Sequence, residues 1–205
     1  NLKDVAAVCR EHRRPFYLDA CRFAENAWLI KEREPGQRDR TPREIAREIF
    51  ALADGCTFSA KKDGLSNIGG FLGTRDADVA RREKDLLILT EGFPTYGGMA
   101  ARDMEAIAVG LGEVLDEDYL AYRANCLRLL VEQLSAIGIP VVKPAGGHAV
   151  YLDAGRFAPH LSPLELPGVS LTADLYVRSG VRAVELGTAM FGRHDASTGA
   201  EQPAP

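Results

Sequence analysis

Long apolar runs are absent from this 205-residue sequence, and so is any concentration of charge of one sign. No stretch approaches the roughly 18 apolar residues of a membrane span, and the opening segment NLKDVAAVCREHRRP lacks the apolar core of a signal peptide. The 25 basic and 29 acidic residues leave a net charge of −4, without the basic stripe interleaved with aromatics that nucleic-acid binding favours. The sequence therefore predicts a cytoplasmic protein that binds neither a membrane nor nucleic acid.

Cysteine and histidine are scarce and scattered. The four cysteines, Cys9, Cys21, Cys56 and Cys126, show neither CxxC nor Cys/His spacing, and the four histidines form no cluster. A zinc site is therefore not expected, and reduced thiols fit a cytosolic protein.

Segments typical of strands and helices alternate along the first half of the chain. Strands are predicted over 14–20, 56–60, 69–74 and 86–90, and helices over 22–34, 42–53, 76–84 and 99–114. Such alternation predicts an α/β layered fold, in which ligands bind beyond the carboxyl ends of the strands. With 46% hydrophobic residues the chain can bury a sizeable core.

The pattern changes near residue 115. A long amphipathic helix is predicted over 118–137, followed by the strand-like segments IPVVKP, HAVYLDA and VRAVELG, with 163–180 mostly helical. We therefore predict one domain over 1–115 and a second over 116–205, with the long helix as connector. Because the chain opens directly on a helical pattern and closes on DASTGAEQPAP, it is interpreted as a fragment.

The segment SAKKDGLSNIGG, residues 59–70, places two lysines side by side. Adjacent ammonium groups repel each other and lose hydration when either is partly buried. A cofactor carrying an aldehyde and a phosphate would offset that cost, because one amine becomes an imine and the other faces the phosphate. A neighbouring cation also lowers the pKa of a lysine and makes it a better nucleophile. Either Lys61 or Lys62 could be the reactive amine, Ser59 could donate to the phosphate, and a solvated surface pair is the alternative.

A carboxylate ends the first predicted strand. Pyridoxal phosphate (PLP) is an electron sink only while its ring nitrogen is protonated, and a buried aspartate keeps it so. Asp19 is the candidate, and Arg22, about one helical turn further on, could reach the phosphate or a polar edge of the cofactor. A strand-terminal aspartate is equally common as a helix N-cap.

Five segments carry a family resemblance. DACRFAENAWLIKERE, ADGCTFSAKKDGLSNIGGFL, EGFPTYGGMAARDMEAIAVGL, GGHAVYLDAGRF and GVRAVELGTAMFGR resemble, in this order, the bacterial β-eliminating lyases, which include tryptophanase and tyrosine phenol-lyase. The resemblance implies the PLP-dependent aspartate-aminotransferase-type fold (fold type I), with part of the large domain and part of the small α+β domain present.

The same resemblance implies roles for individual residues. Lys62 would form the Schiff base with PLP, and Lys61 would be its cationic neighbour. Asp19 would pair with the pyridinium nitrogen, Arg22 would lie beside it, and Ser59 would contact the phosphate.

Further properties follow from the resemblance alone. The backbone carbonyl of Asn67 would contribute to a monovalent-cation (K⁺) site, and the loop 91–98 would lie near a subunit interface of a homotetramer. The implied reaction is β-elimination of an aromatic amino acid, with tryptophan giving indole, pyruvate and ammonia. Leu186 replaces an arginine of the phenol-lyases, which favours indole. A tyrosine phenol-lyase and a non-catalytic truncated domain or assembly module are the alternatives.

Overall fold

A small mixed sheet contains three of the four strands predicted for the first half of the chain. In the computed structural model, β1 (Tyr17–Asp19) runs parallel to β2 (Gly55–Ser59), and β2 runs antiparallel to β3 (Gly70–Thr74). Asp19 lies opposite Thr57, so β1 and β2 end at the same edge of the sheet. The structure describes residues 1–195, 197–198 and 201–203.

Helices precede, separate and follow the strands of this sheet along the chain. Their bounds are α1 Leu2–Glu11, α2 Phe23–Arg33, α3 Pro42–Ala51, α4 Ala77–Thr90, α5 Ala101–Glu113, α6 Glu117–Ala136, α7 Ala154–Phe157, a 3₁₀ turn Pro163–Glu165, α8 Pro167–Ser179 and α9 Thr188–Phe191. The helices predicted over 22–34, 42–53, 99–114 and 118–137 are confirmed, as is the mostly helical segment 163–180.

Local sequence signals explain several helix ends. At α3 the Thr41 hydroxyl accepts a hydrogen bond from the Glu44 N–H at 3.2 Å, and the Glu44 carboxylate accepts one from the Thr41 N–H at 2.8 Å. Pro42 occupies the first helical position, where its missing N–H costs nothing. Gly138, just beyond α6, has a φ of 81°, the left-handed conformation that ends helices.

The hydrophobic core lies where α2 and α3 cover the sheet. It contains Phe23 and Trp28 of α2, Ile45 and Ile49 of α3, and Phe58 of β2, each at most 9% exposed. This cluster fixes the start of α2 against β2, and so positions the residues at the sheet edge.

The strand predicted over 86–90 is wrong, because these residues form the last turns of α4. The Asp76 carboxylate caps the helix through the Asp78 and Val79 N–H groups, at 2.8 and 3.0 Å. No glycine or proline occurs between Asp76 and Gly92. A short apolar run is compatible with either structure, and here the capped helix simply continues through it.

The predicted strands of the second half are largely wrong. IPVVKP and HAVYLDA meet only at one antiparallel bridge, between Val141 and Leu152. No strand is described within 181–187, the segment VRAVELG. A two-residue ladder pairs β4 (Arg193–His194) with β5 (Glu201–Gln202). Segments of this kind need neighbouring strands to complete their hydrogen bonds, and the described residues supply few.

The chain divides into two compact units, Asn1–Asn125 and Cys126–Pro205, and the division falls within α6. The predicted domain boundary near residue 115 stays a prediction. Among the described residues, no helix is both long enough and apolar enough to cross a bilayer.

Candidate functional site

The ends of β1 and β2 bring the predicted site residues to one edge of the sheet. Asp19 is the last residue of β1, and Ser59 is the last residue of β2. The Ala20 N–H donates to the Thr57 carbonyl at 2.9 Å, which extends the parallel pairing one residue beyond Asp19. Lys61 and Lys62 follow Ser59 at once, so both lysines lie at the edge where Asp19 ends its strand.

Asp19 is exposed rather than buried, which corrects the expectation of a buried aspartate. Within the described residues β1 pairs only with β2, so its last residue remains open to solvent. Hydrogen bonds from the thiol and then the N–H of Cys21 lower the pKa of Asp19, and the positive charge of Lys62 lowers it further. Asp19 and Lys62 are therefore electrostatic neighbours, and Asp19 is an anion at neutral pH.

Cys21 is a site residue that the sequence analysis missed. Its N–H donates to the Asp19 carboxylate at 3.2 Å, and its sulfur accepts a hydrogen bond from the Ser59 N–H, also at 3.2 Å. The thiol thus bridges the ends of β1 and β2. Its position two residues after a strand-terminal aspartate was the available signal.

The two lysines occupy different environments. Lys61 is exposed, whereas Lys62 is half-buried in a turn held by backbone hydrogen bonds. The Lys62 N–H donates to the Ser59 carbonyl at 3.4 Å, and the Ala60 N–H donates to the Gly69 carbonyl at 2.9 Å. The repulsion inferred from the sequence is therefore eased, because Lys61 remains in water while the charge of Lys62 interacts with the Asp19 carboxylate.

Asp63 is a second residue that the sequence analysis missed, and it is 3% exposed. Its Oδ2 accepts hydrogen bonds from the Ala24 and Glu25 N–H groups of α2, at 2.8 and 3.3 Å. Burial raises the pKa of Asp63 to about 6, the two N–H donors oppose that rise, and the nearby Glu25 carboxylate adds to it. The cap of α2 is therefore Asp63, and Asp19 does not fill that role.

Arg22 points toward a buried carboxylate. Its guanidinium lies 3.6 Å from Oε1 of Glu25, and Arg123 of α6 binds the same oxygen at 2.7 Å. Burial raises the pKa of Glu25, and the two arginines counter that rise. A contact of Arg22 with a cofactor stays a prediction.

Helix α5 approaches the lysine turn closely through two glycines. A Cβ on Gly110 would overlap the carbonyl oxygen of Gly64, and a Cβ on Gly64 would lie 2.5 Å from the Ala60 carbonyl oxygen. The turn that carries Lys62 is therefore held between α2, through Asp63, and α5, through Gly64. Gly64, within the segment SAKKDGLSNIGG, permits this close packing because it has no side chain.

The remaining predicted features lie further along the chain. Asn67 has an exposed side chain and lies in the segment between the lysine turn and β3, and its role at a cation stays a prediction. In the loop 91–98, Phe93 and Tyr96 are exposed, with ring centroids 6.1 Å apart. Exposed aromatics of this kind are compatible with the predicted subunit interface, which is untested.

A cavity of about 430 Å³ lies between α1, β1, α2 and α3, and Asp19 is one of its lining residues. Its wall also includes Leu18, Phe23 and Asn26, but neither Lys61 nor Lys62. Asp19 therefore borders this cavity, whereas the lysine turn does not.

The residues at the sheet edge fit PLP. An ionised carboxylate suits a protonated ring nitrogen, a half-buried amine suits an aldehyde, and an exposed lysine with a hydroxyl suits a phosphate. Asp19, Lys62, Lys61 and Ser59 supply these groups in that order.

The chain is similar to known proteins along nearly its whole length. The family model for beta-eliminating lyase matches residues 1–204. Over 193 residues the chain is 58% identical to a tryptophanase of Hyphomonas neptunium, covering 94% of this chain and 42% of the relative. It is 56% identical to a tryptophanase of Salinibacter ruber, covering 100% and 43%. A tyrosine phenol-lyase of Symbiobacterium sp. is 50% identical, covering 95% and 42%.

The fold has a solved counterpart. A structure from Exiguobacterium sp., assigned as an aromatic amino acid beta-eliminating lyase/threonine aldolase, matches with a TM-score of 0.52 and 21% identity, over 80% of this chain and 42% of that chain. The predicted fold class, the PLP-dependent aminotransferase type with a partial domain, is confirmed. The chain spans less than half the length of these curated relatives.

Proposed function

Because the chain belongs to the beta-eliminating lyase family, we propose that the complete protein is a PLP-dependent carbon–carbon lyase that converts tryptophan to indole, pyruvate and ammonia. PLP is the cofactor of this family. The observation that carries the proposal is the meeting of Asp19 and Lys62 at one sheet edge, where the charge of Lys62 helps to keep Asp19 ionised.

The residues of the edge would hold the cofactor at several points. Nζ of Lys62 would bond to it covalently, Asp19 would accept a hydrogen bond from its ring nitrogen, and Ser59 and Lys61 would bind its phosphate. Arg22 would lie beside them. When bound, the cofactor supplies an electron sink for the negative charge that develops on the substrate α-carbon.

Two of these residues would control protons. Asp19 stays ionised at neutral pH, since Cys21 and Lys62 lower its pKa, and would keep a proton on the ring nitrogen opposite it. The amine of Lys62 would accept the substrate α-proton at Nζ as a general base.

The finer properties of the enzyme belong to the same proposal. A K⁺ ion would bind at the Asn67 backbone carbonyl, and the enzyme would be a homotetramer in the cytoplasm, with the loop 91–98 near a subunit interface. Leu186 supports tryptophan as the substrate, because an apolar side chain suits an indole ring better than a phenol.

Product analysis on the complete protein tests the proposal. Protein supplied with PLP and K⁺ is given tryptophan or tyrosine, and indole, phenol and pyruvate are measured. We expect indole and pyruvate in equal amounts from tryptophan. Lys62→Ala should lower the rate by at least about 100-fold, the loss expected for a missing general base, whereas Lys84→Ala, at an exposed lysine of α4, should not.

Two results would contradict the proposal in different ways. Phenol from tyrosine without indole from tryptophan would make the enzyme a tyrosine phenol-lyase, the activity named for relatives about 50% identical. No product from either amino acid, with the unsubstituted protein, would favour the non-catalytic alternative.

A further inference from the structure

Asp63, the residue after Lys62, is buried. We propose that Asp63 is a positioning residue, which ties the Lys62 turn to the start of α2 and so fixes Lys62 relative to Asp19. This inference deepens the proposed function and rests on it, because it assumes that Lys62 and Asp19 act on one bound cofactor.

Three hydrogen bonds join Asp63 to a single short segment. Its Oδ2 accepts from the Ala24 N–H at 2.8 Å and from the Glu25 N–H at 3.3 Å. Its own N–H donates to the Cys21 carbonyl at 3.2 Å. The segment bound in this way begins two residues after Asp19. Asp63 therefore connects the residue beside Lys62 with the residues that follow Asp19.

Asp63 provides the N-terminal cap of α2, because no side chain at the N-cap position does so. Arg22 occupies the N-cap position, and its side chain makes no capping hydrogen bond. A serine or aspartate there would satisfy the first-turn N–H groups equally well. Asp63 supplies the acceptor instead, although it lies 39 residues after Ala24 in the chain. A long-range cap adds what a local one cannot, since it couples two separate segments.

Asp63 has little freedom to move. It is 3% exposed, and the next residue, Gly64, lies against Gly110 of α5 so closely that a Cβ on Gly110 would overlap its carbonyl oxygen. Without the carboxylate, the turn keeps its backbone hydrogen bonds, such as the 3.2 Å bond from the Asp63 N–H to the Cys21 carbonyl, but loses its attachment to the first turn of α2. Since a displacement of about 1 Å can cost about 100-fold in rate, this restraint matters for Lys62.

The test compares two aspartate caps in the complete protein. Asp63→Ala removes the buried cap, and Asp76→Ala removes the exposed cap of α4, which also binds two N–H groups. Asp63→Asn keeps an acceptor of the same length without the charge. For each variant, PLP affinity and the pH midpoint of the imine absorbance band are measured, together with kcat and KM for the amino acid.

We expect Asp63→Ala to lower PLP affinity by about tenfold or more and kcat by about 10- to 100-fold, and to shift the pH midpoint of the band. Asp63→Asn should remain within about threefold of the unsubstituted protein in affinity and rate, because position and not charge is what the cap supplies. Asp76→Ala should change none of the three measurements. The shifted midpoint and the recovery by asparagine are results that a general loss of stability would not produce.

The inference is overturned if folded Asp63→Ala binds PLP and titrates as Asp76→Ala does, or if Asp63→Asn is as impaired as Asp63→Ala. If Asp63→Ala is recovered unfolded, Asp63→Ser takes its place in the test, because serine keeps only a shorter acceptor. A PLP affinity of Asp63→Ser equal to that of the unsubstituted protein would overturn the inference. Lys62→Ala separates the two proposals: if it keeps the imine band, the proposed function itself fails.

Discussion

The two aspartate caps should respond to pH in opposite directions. Asp63 and Asp76 each accept two backbone N–H hydrogen bonds at the start of a helix. Burial raises the pKa of Asp63 to about 6, whereas the N–H donors lower the pKa of the exposed Asp76. Replacing each residue with asparagine keeps the acceptor and removes the titration.

The magnitude for Asp63 follows from its two pKa values, 3.8 for the ordinary group and about 6 in the folded protein. The difference corresponds to about 3 kcal/mol, or about 100-fold in an opening equilibrium. The sign follows because the folded state holds the proton more tightly. The stabilisation is fully present below pH 3.8 and is lost as pH rises through about 6. Arg22 and Glu25 are the charged groups that contribute to this balance.

Hydrogen exchange measures the effect locally. Mass spectrometry of peptides covering α2 gives the protection of the Ala24 and Glu25 amides. The ratio of unsubstituted protein to Asp63→Asn at each pH cancels the intrinsic pH dependence of exchange. We expect this ratio to fall by up to about 100-fold between pH 4 and pH 7. The corresponding ratio for Asp76→Asn and α4 should stay level or rise. A level or rising ratio for Asp63 would refute the reasoning that burial dominates its pKa.

Two other substitutions test the packing around the site. Gly110→Ala should destabilise the protein by about 1–3 kcal/mol and weaken PLP binding, because its Cβ would overlap the Gly64 carbonyl. Gly112→Ala on the same helix, where a Cβ would have nothing within 4 Å, should stabilise the protein by up to about 1 kcal/mol. Equal effects of the two substitutions in urea unfolding would contradict the close contact. Arg123→Met should lower the free energy of unfolding by about 1–3 kcal/mol, because it removes the nearer of two arginines from Glu25, which is 6% exposed. When Glu25 is also replaced by glutamine, Arg123→Met should cost less, and an undiminished loss would refute the ion-pair explanation.

The first half of the fold was predictable because its signals are local. Thr41 and Pro42 mark the start of α3, and the residues that end β1 and β2 follow from short apolar runs bounded by polar residues. Parallel pairing of those strands then places Asp19 and Lys62 at one edge without further information. The family resemblance supplied the roles, which neither spacing nor periodicity could assign.

The rest depends on contacts that sequence patterns do not report. Asp63 reads as part of a polar turn, and only the fold shows that its carboxylate caps a helix 39 residues earlier in the chain. Cys21 reads as an isolated thiol, although it bridges two strand ends. The run at 86–90 became helical because Asp76 starts a helix that nothing interrupts, and an apolar run of that length fits either structure.

The most direct test of the central claim is to identify the amine that binds PLP. The complete protein is incubated with PLP and reduced with borohydride, and its peptides are mapped by mass spectrometry. The account predicts that the modification lies on Lys62 and that Lys61 remains free. Modification of Lys61 with Lys62 free, or no modification in the segment 59–70, would contradict it.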